Sequence, residues 1–72
     1  MSSAPQEVAI AGDMIRLGQL LKLSGMADSG GEARELVQEG AVSVNGEVET
    51  RRGRQLHRGD LVEAGAQALR IV

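Results

Sequence analysis

Apolar residues recur along this 72-residue chain at two spacings, and the change of spacing separates candidate helices from candidate strands. Leu17, Leu20 and Leu21 follow the spacing of one face of a helix. Gly25 is suited to end that helix in a left-handed cap, because glycine adopts positive φ without steric cost. We therefore predict a first helix from Leu17 to Ser24.

A second helix has the clearest signal in the chain. Ser29 is a favourable N-cap, and Glu32 stands three positions later, which is the pattern of a capping box. The apolar stripe that follows consists of Ala33, Leu36 and Val37. Gly40 is placed to stop the helix, so we predict it from about Gly30 to Glu39.

A hairpin is predicted directly after the second helix. Residues 42–44 alternate between apolar and polar side chains, as a half-buried strand does. Asn45-Gly46 is the strongest two-residue hairpin signal, because a type I′ turn needs positive φ at both central positions. Val48 then starts the return strand, with Glu47 and Glu49 expected to face water.

The remaining pattern completes a small α+β fold. Further strands are predicted around Val8 and Ile10, Leu61 and Val62, and Leu69 and Ile71. We expect two short packed helices on a small, mostly antiparallel β-sheet, with residues 1–6 as a disordered tail and residues 7–72 as a single domain. The predicted core contains Leu17, Leu20, Leu21, Leu36, Val37, Val42, Val44, Val48, Leu56, Val62, Leu69 and Ile71. Truncating one of these, as in Leu36→Ala, is expected to cost about 2–5 kcal/mol.

Composition removes several classes of function. Cysteine is absent and there is one histidine, so neither a disulfide framework nor a zinc site is expected. Phe, Trp and Tyr are also absent, which argues against domains that stack unpaired bases on aromatic rings. The chain has no apolar run long enough to span a membrane and no signal-peptide pattern, so a soluble cytoplasmic protein without cofactors is expected.

The charge is unevenly distributed along the chain. The formal net charge is −2, yet residues 50–58 contain four arginines and no acidic residue. Arg51, Arg52 and Arg54 form the densest part of this segment, and arginine makes bidentate contacts with phosphate. A local basic patch can attract phosphate even when the whole protein is acidic.

The order of these signals resembles a known family. The string SGGEARELVQEGAVSVNGEVETRRG, followed by LHRGDLV at residues 56–62, resembles the alpha-L RNA-binding motif. That motif was first described in the fourth protein of the small ribosomal subunit, and it also occurs in pseudouridine synthases and bacterial tyrosyl-tRNA synthetases. The likeness is closest to the stand-alone bacterial members, and it covers about Ile15 to Ile71.

The resemblance implies an RNA-binding surface at the starts of both helices and in the loop after the hairpin. Ser29 and Arg34 match family positions that face RNA, as do Arg16 and Gln19, and the basic loop holds Arg51, Arg52 and Arg54. Gly30 and Gly31 stand where many family members carry a basic residue. Their lack of side chains leaves the helix N-terminus, which favours anions, open to an RNA backbone.

These residues also allow simpler interpretations. Ser29 could only cap its helix, Arg34 could pair with Glu35 or Glu39, and the arginines could form a solvated loop. We nevertheless expect the chain to bind structured RNA, either ribosomal or transfer RNA, as a monomer. Catalysis is not expected, because the sequence contains no nucleophile–base pair. The alternative is a protein-interaction module, or an accessory subunit of a ribosome-associated or RNA-modifying complex. Such a module would use the acidic residues Glu35, Glu39, Glu47 and Glu49.

Overall fold

The structure is a computed structural model that describes residues 4–72, so half of the expected N-terminal tail, residues 1–3, lies outside the described residues. In chain order the elements are β1 (Gln6–Val8), β2 (Ile15–Arg16), α1 (Leu17–Leu23), α2 (Gly30–Gln38), β3 (Val42–Val44), β4 (Glu47–Val48), β5 (Gln55–Leu56), β6 (Leu61–Ala64) and β7 (Gln67–Ile71). The predicted α+β class is confirmed. β1 begins at Gln6, inside the segment expected to form the tail.

The strands form one larger and one smaller sheet. The five-stranded sheet has the order β1-β7-β6-β3-β4, and all of its pairs are antiparallel except β1 with β7. The two-stranded sheet joins β2 to β5, with Arg16 opposite Gln55. β2 runs directly into α1, so this small sheet attaches the start of the first helix to the segment after the hairpin.

Both helices end and begin as their sequences predict, with one difference. Gly25 follows α1 with φ of +82°, the predicted left-handed cap. At the start of α2, Ser29 Oγ accepts a hydrogen bond from the Glu32 N–H at 3.2 Å. Within residues 4–72 no bond runs back from the Ser29 N–H to the Glu32 carboxylate, so only half of the capping box forms.

The hairpin turn takes the predicted conformation. Asn45 and Gly46 have φ of 52° and 87°, as a type I′ turn requires. The Asn45 side chain also joins this turn to the loop before β6: its Nδ2 donates to Asp60 Oδ1 at 3.1 Å, and its Oδ1 accepts from the Leu61 N–H at 2.9 Å. The sequence pattern gave no indication of this second connection.

The core lies between the helices and the inner face of the larger sheet. Its fully buried side chains include most of the predicted set: Leu17, Leu20, Leu21, Val37, Val42, Val44, Leu56, Val62, Leu69 and Ile71. Val8, Ala27 and Ala33 are buried as well, although they were not in the predicted core. Leu36 is only half-buried, packed against the edge of this cluster.

The prediction for the return strand of the hairpin is wrong in its phase. Val48 is 66% exposed and Glu49 only 6% exposed, the reverse of what was expected. Val48 pairs with Ser43, and continuing that register places Glu49 opposite Val42, whose carbonyl accepts the Glu49 N–H. Directly paired residues of neighbouring strands point to the same face. Glu49 therefore lies on the inner face with the buried Val42, and Val48 lies on the outer face.

Candidate nucleic-acid interface

The arginine loop, residues 51–54, is attached to the start of α1 by its own backbone. The carbonyl groups at positions 52 and 54 accept the N–H groups of Gly18 and Leu17 at 2.8 and 2.9 Å. The carbonyl between them accepts Nη1 of Arg16 at 2.9 Å. The first N–H groups of a helix have no partner within the helix. The loop supplies those partners, and in return the helix fixes the loop's position.

This attachment creates a shallow, open cleft of about 260 Å³ between the arginine loop and the two helices. The cleft is lined by Arg16, Gly18, Gln19, Lys22, Gly30, Ala33, Arg52 and Gly53. We call this the basic cleft, because its lining contains three cationic side chains and no acidic one. Four of the residues predicted to bind RNA line it together, although three separate segments of the chain supply them: Arg16, Gln19, Gly30 and Arg52.

Lys22 is the charged lining residue that the sequence analysis missed. It is exposed in the last turn of α1, three positions after Gln19 and four after Gly18. Residues at these separations share one face of a helix. The signal was therefore available once Gln19 was assigned to the interface.

The N-terminus of α2 forms one wall of the basic cleft. A side chain at Gly30 would meet no atom within 4 Å, so the backbone there is open to an approaching ligand. Ser29 Oγ is occupied by the Glu32 N–H, which makes Ser29 a helix cap in this structure. Neither Ser29 nor Gly31 lines the cleft.

Arg34 lies outside the basic cleft. It is exposed on α2, next to the cleft-lining Ala33. None of the ion pairs found within residues 4–72 involves Arg34, so the alternative pairing with Glu35 or Glu39 does not form.

Arg51 and Arg54 turn away from the basic cleft, toward Glu49. The Glu49 carboxylate receives Arg54 Nη1 at 2.9 Å and Arg51 Nε at 3.2 Å. It also accepts the backbone N–H groups of Thr50 and Arg51 at 3.0 and 3.1 Å. Two of the three predicted loop arginines are thus paired with an acid that the sequence reading had placed in water.

This network shifts the pKa values of Glu49 and Arg51. Hydrogen bonds from the Arg51 side chain, and next from Arg54, lower the pKa of Glu49 from 4.5 to about 2. The same hydrogen bond raises the pKa of the Arg51 guanidinium above its ordinary value. At neutral pH the Glu49 carboxylate is therefore ionised, and it offsets part of the positive charge of the loop.

Asp60 accepts hydrogen bonds in a second polar cluster, which follows the arginine loop in the chain. Its partial burial would raise its pKa, but hydrogen bonds from the His57 N–H and the Asn45 amide outweigh that effect and lower the pKa. Arg58, counted with the basic segment in the sequence, donates to the Ile10 carbonyl at 3.0 Å. Both residues thus hold loops together and lie outside the basic cleft.

Residues 4–72 contain no cluster of three or more His, Cys, Asp or Glu side chains that could hold a metal ion. Among these residues no helix combines the length and the apolar character needed to cross a bilayer.

Comparison with known proteins gives a consistent result. Residues 8–72 match the model of a family described as the S4 domain. The probable ribosome maturation protein RlbA of Bacillus subtilis is 48% identical over 56 residues, which cover 78% of this chain and 79% of that protein. The solution structure of YbcJ from Escherichia coli superposes with a TM-score of 0.74 and 31% identity, covering 97% of this chain and 90% of YbcJ. That structure is reported to reveal an αL motif involved in RNA binding.

A more distant structure shares the fold. The 30S ribosomal protein S4e of Thermoplasma acidophilum superposes on 86% of this chain with a TM-score of 0.66 and 23% identity. The chain matches 33% of the length of that protein. The same two-helix and sheet arrangement therefore occurs as one part of a larger protein.

Proposed function

The chain belongs to the S4 domain family, and from that premise we propose that it binds structured RNA without catalysing a reaction. One observation carries the proposal: the basic cleft gathers Arg16, Lys22 and Arg52 from two segments around an open helix N-terminus. The cleft has no acidic lining residue in a protein whose net charge is −2. Its charge therefore suits a polyanion better than the rest of the surface does.

The cleft residues differ in how they would hold phosphate. The guanidinium groups of Arg16 and Arg52 can each make two parallel hydrogen bonds to one phosphate, whereas the Lys22 ammonium acts as a mobile point charge. Arg16 is already oriented, because its Nη1 donates to the Gly53 carbonyl at 2.9 Å. An oriented arginine loses less conformational freedom on binding, so we expect Arg16 to fix the position of the RNA backbone.

Lys22 can compensate for the basic residue that many family members carry at the position of Gly30 in this chain. Both residues line the same cleft, so a phosphate near the bare N-terminus of α2 would also lie near the Lys22 side chain. The exposed N–H groups and the helix dipole supply further partial positive charge there. We propose that Lys22 and the open N-terminus together replace the cation that relatives carry after the cap serine.

Ribosomal RNA is the favoured ligand class. The 48% identical relative from Bacillus subtilis is named a probable ribosome maturation protein. Without aromatic side chains the domain cannot stack unpaired bases on rings, so recognition would rest on the shape and phosphates of a folded RNA. We propose this ligand ahead of transfer RNA.

The test is the salt dependence of binding to structured ribosomal RNA fragments. Three cleft cations predict a loss of roughly 2–3 log units of affinity per log unit of salt, at about 0.7–0.9 for each phosphate contact. Arg52→Gln and Lys22→Gln should each reduce that slope by roughly one contact. Arg70→Gln is the matched control, because it removes the same charge from β7, outside the cleft lining.

The possible outcomes separate the proposal from its competitors. A slope near zero, or equal losses in Arg52→Gln and Arg70→Gln, would contradict binding through the basic cleft. If capture of ribosomal proteins instead survived nuclease treatment, the protein-interaction alternative would replace the proposal.

A further inference from the structure

The buried position of Glu49 has a consequence for the way the arginine loop meets RNA. We propose that Glu49 is a specificity-determining positioning residue, which confines the loop's phosphate contacts to the side facing the basic cleft. This inference rests on the proposed RNA-binding function. It assigns a role in RNA binding to an acidic residue that the sequence had suggested only for the protein-interaction alternative.

Glu49 fixes the geometry of the arginine loop. Glu49 accepts five hydrogen bonds from residues 50–54: two from backbone N–H groups, two from the Arg51 guanidinium and one from Arg54. Its side chain is only 8% exposed, so these bonds replace water around the carboxylate. One residue thereby sets the direction of both the loop backbone and two of its three arginines.

One arginine of the loop remains outside this hydrogen-bond network. Arg52 lies between the two paired arginines, lines the basic cleft and takes no part in the hydrogen bonds to Glu49. Its carbonyl is held by the Gly18 N–H at 2.8 Å, which fixes the backbone from the opposite side. The loop therefore presents one arginine to the cleft and directs the other two to Glu49.

The negative charge of Glu49 also affects where phosphate can bind. A phosphate that approaches Arg51 must compete with a carboxylate that already holds that guanidinium, and the carboxylate repels the phosphate. A phosphate in the basic cleft meets Arg52 without that competition. Glu49 thus makes one side of the loop poor at binding phosphate and leaves the other side unaffected, which limits the RNA shapes that fit.

Arg51 is the arginine whose phosphate binding Glu49 restricts. Its side chain is 78% exposed, whereas that of Arg54 is 34% exposed. If the charge of Glu49 were removed, Arg51 could turn outward and bind phosphate from any nearby polyanion. Such a variant would then bind RNA in general more strongly than the wild-type protein does, and it would be less selective.

The experiment compares Glu49→Gln with Glu47→Gln. Both substitutions remove one negative charge from the same hairpin, but Glu47 is exposed on β4 and takes no part in the arginine network within residues 4–72. Glutamine keeps the size of Glu49 and its acceptor oxygen. Binding of polyuridylate and of structured ribosomal RNA fragments is measured across a salt series, and amide NMR spectra report whether each variant is folded.

For Glu49→Gln we expect a polyuridylate salt slope steeper by roughly 0.7, which is one additional phosphate contact on a single strand. Affinity for polyuridylate should rise roughly two- to fivefold, the size of one exposed ion pair. Glu47→Gln should leave the slope unchanged. Adding Arg51→Gln to Glu49→Gln should return the slope to its wild-type value, which a purely structural role for Glu49 would not predict.

Equal slopes for the two glutamate variants, or no reversal by Arg51→Gln, would overturn the inference. If Glu49→Gln does not fold, single variants in the wild-type background decide: Arg52→Gln should lose one contact and Arg51→Gln none. Equal losses in those two variants would also overturn it.

A titration with inorganic phosphate separates this inference from the proposed function. Phosphate should shift the amide signals of Thr50 and Arg51 in Glu49→Gln but not in Glu47→Gln, while Arg52, which lines the intact basic cleft, should respond in both. Absence of RNA binding by the wild-type protein would reject the proposed function, whereas identical phosphate responses of the two variants would reject the role of Glu49.

Discussion

The Nη1 atom of Arg54 lies 2.9 Å from the Oε1 atom of Glu49, and this pair holds the arginine loop against the edge of the sheet. Arg51 reaches the other carboxylate oxygen at 3.2 Å from a far more exposed position. Because Arg54 makes the shorter contact with Glu49 and is less exposed, we expect the two arginines to differ in their effect on stability.

We predict that Arg54→Gln and Arg51→Gln both lower the urea midpoint of unfolding, because both side chains stabilise the Glu49 carboxylate. Arg54→Gln should lower it more, because Arg54 makes the shorter and less exposed contact. Loss of Arg54 leaves a buried carboxylate without its closest cation, while a more exposed pair contributes less. Equal midpoints for the two variants would show that Arg54 does not anchor the loop.

Stability should fall with acid through a window set by Glu49. Its pKa is about 2 in the folded protein against 4.5 ordinarily, chiefly because of the Arg51 and then the Arg54 side-chain hydrogen bonds. A lowered pKa stabilises the folded state fully above about pH 4.5, and that contribution is lost as the pH falls toward about 2. Glu49→Gln lacks it at every pH.

The measurement is the free energy of unfolding of both proteins from pH 7 to pH 2. We expect the wild-type protein to be more stable at neutral pH and the gap to Glu49→Gln to close between about pH 4.5 and 2. The lowered pKa of Asp60 acts in the same direction in both proteins, so it cancels in the difference. A gap that stays constant over this window would contradict the assignment.

Two leucines in the predicted core should respond differently to truncation. Leu20 has no exposed surface, so Leu20→Ala should cost about 2–5 kcal/mol in the free energy of unfolding. Leu36 is half-buried, and Leu36→Ala should therefore cost less than Leu20→Ala, below the range expected from the sequence. Chemical denaturation followed by circular dichroism would check this, and equal costs would contradict the burial difference.

The connection between Asn45 and Asp60 should contribute measurably to stability. Asn45→Gly keeps a residue that tolerates positive φ but removes both side-chain hydrogen bonds, at a cost of about 1–3 kcal/mol. Asn45→Ala adds backbone strain at φ of 52° and should be less stable than the glycine variant. Wild-type stability in Asn45→Gly would show that the Asn45 side-chain hydrogen bonds contribute nothing to stability.

The sequence predicted the parts of the fold that depend on local chemistry. The turn at Asn45-Gly46 and the cap at Gly25 follow from residues that tolerate positive φ, and both were found. The phase of β4 depends on its register with β3, which is not local. A shift of one residue exchanges the two faces of a strand, so Val48 and Glu49 were both misplaced by the same error.

The candidate site was predicted in part for a similar reason. Family resemblance pointed to Arg16, Gln19, Gly30 and Arg52, which the fold brings to one cleft. A count of charges along residues 50–58 treated all the arginines alike. That count could not show that the buried Glu49, just outside the segment, pairs with two of them.

The most direct test of RNA binding through the basic cleft is an amide NMR titration of the labelled protein with structured ribosomal RNA fragments at low and moderate salt. We predict salt-sensitive shifts at Arg16, Gln19, Lys22, Gly30 and Arg52, with smaller changes at Arg34 and Arg51. Shifts confined to the acidic face of α2, or no shifts with any fragment, would contradict it.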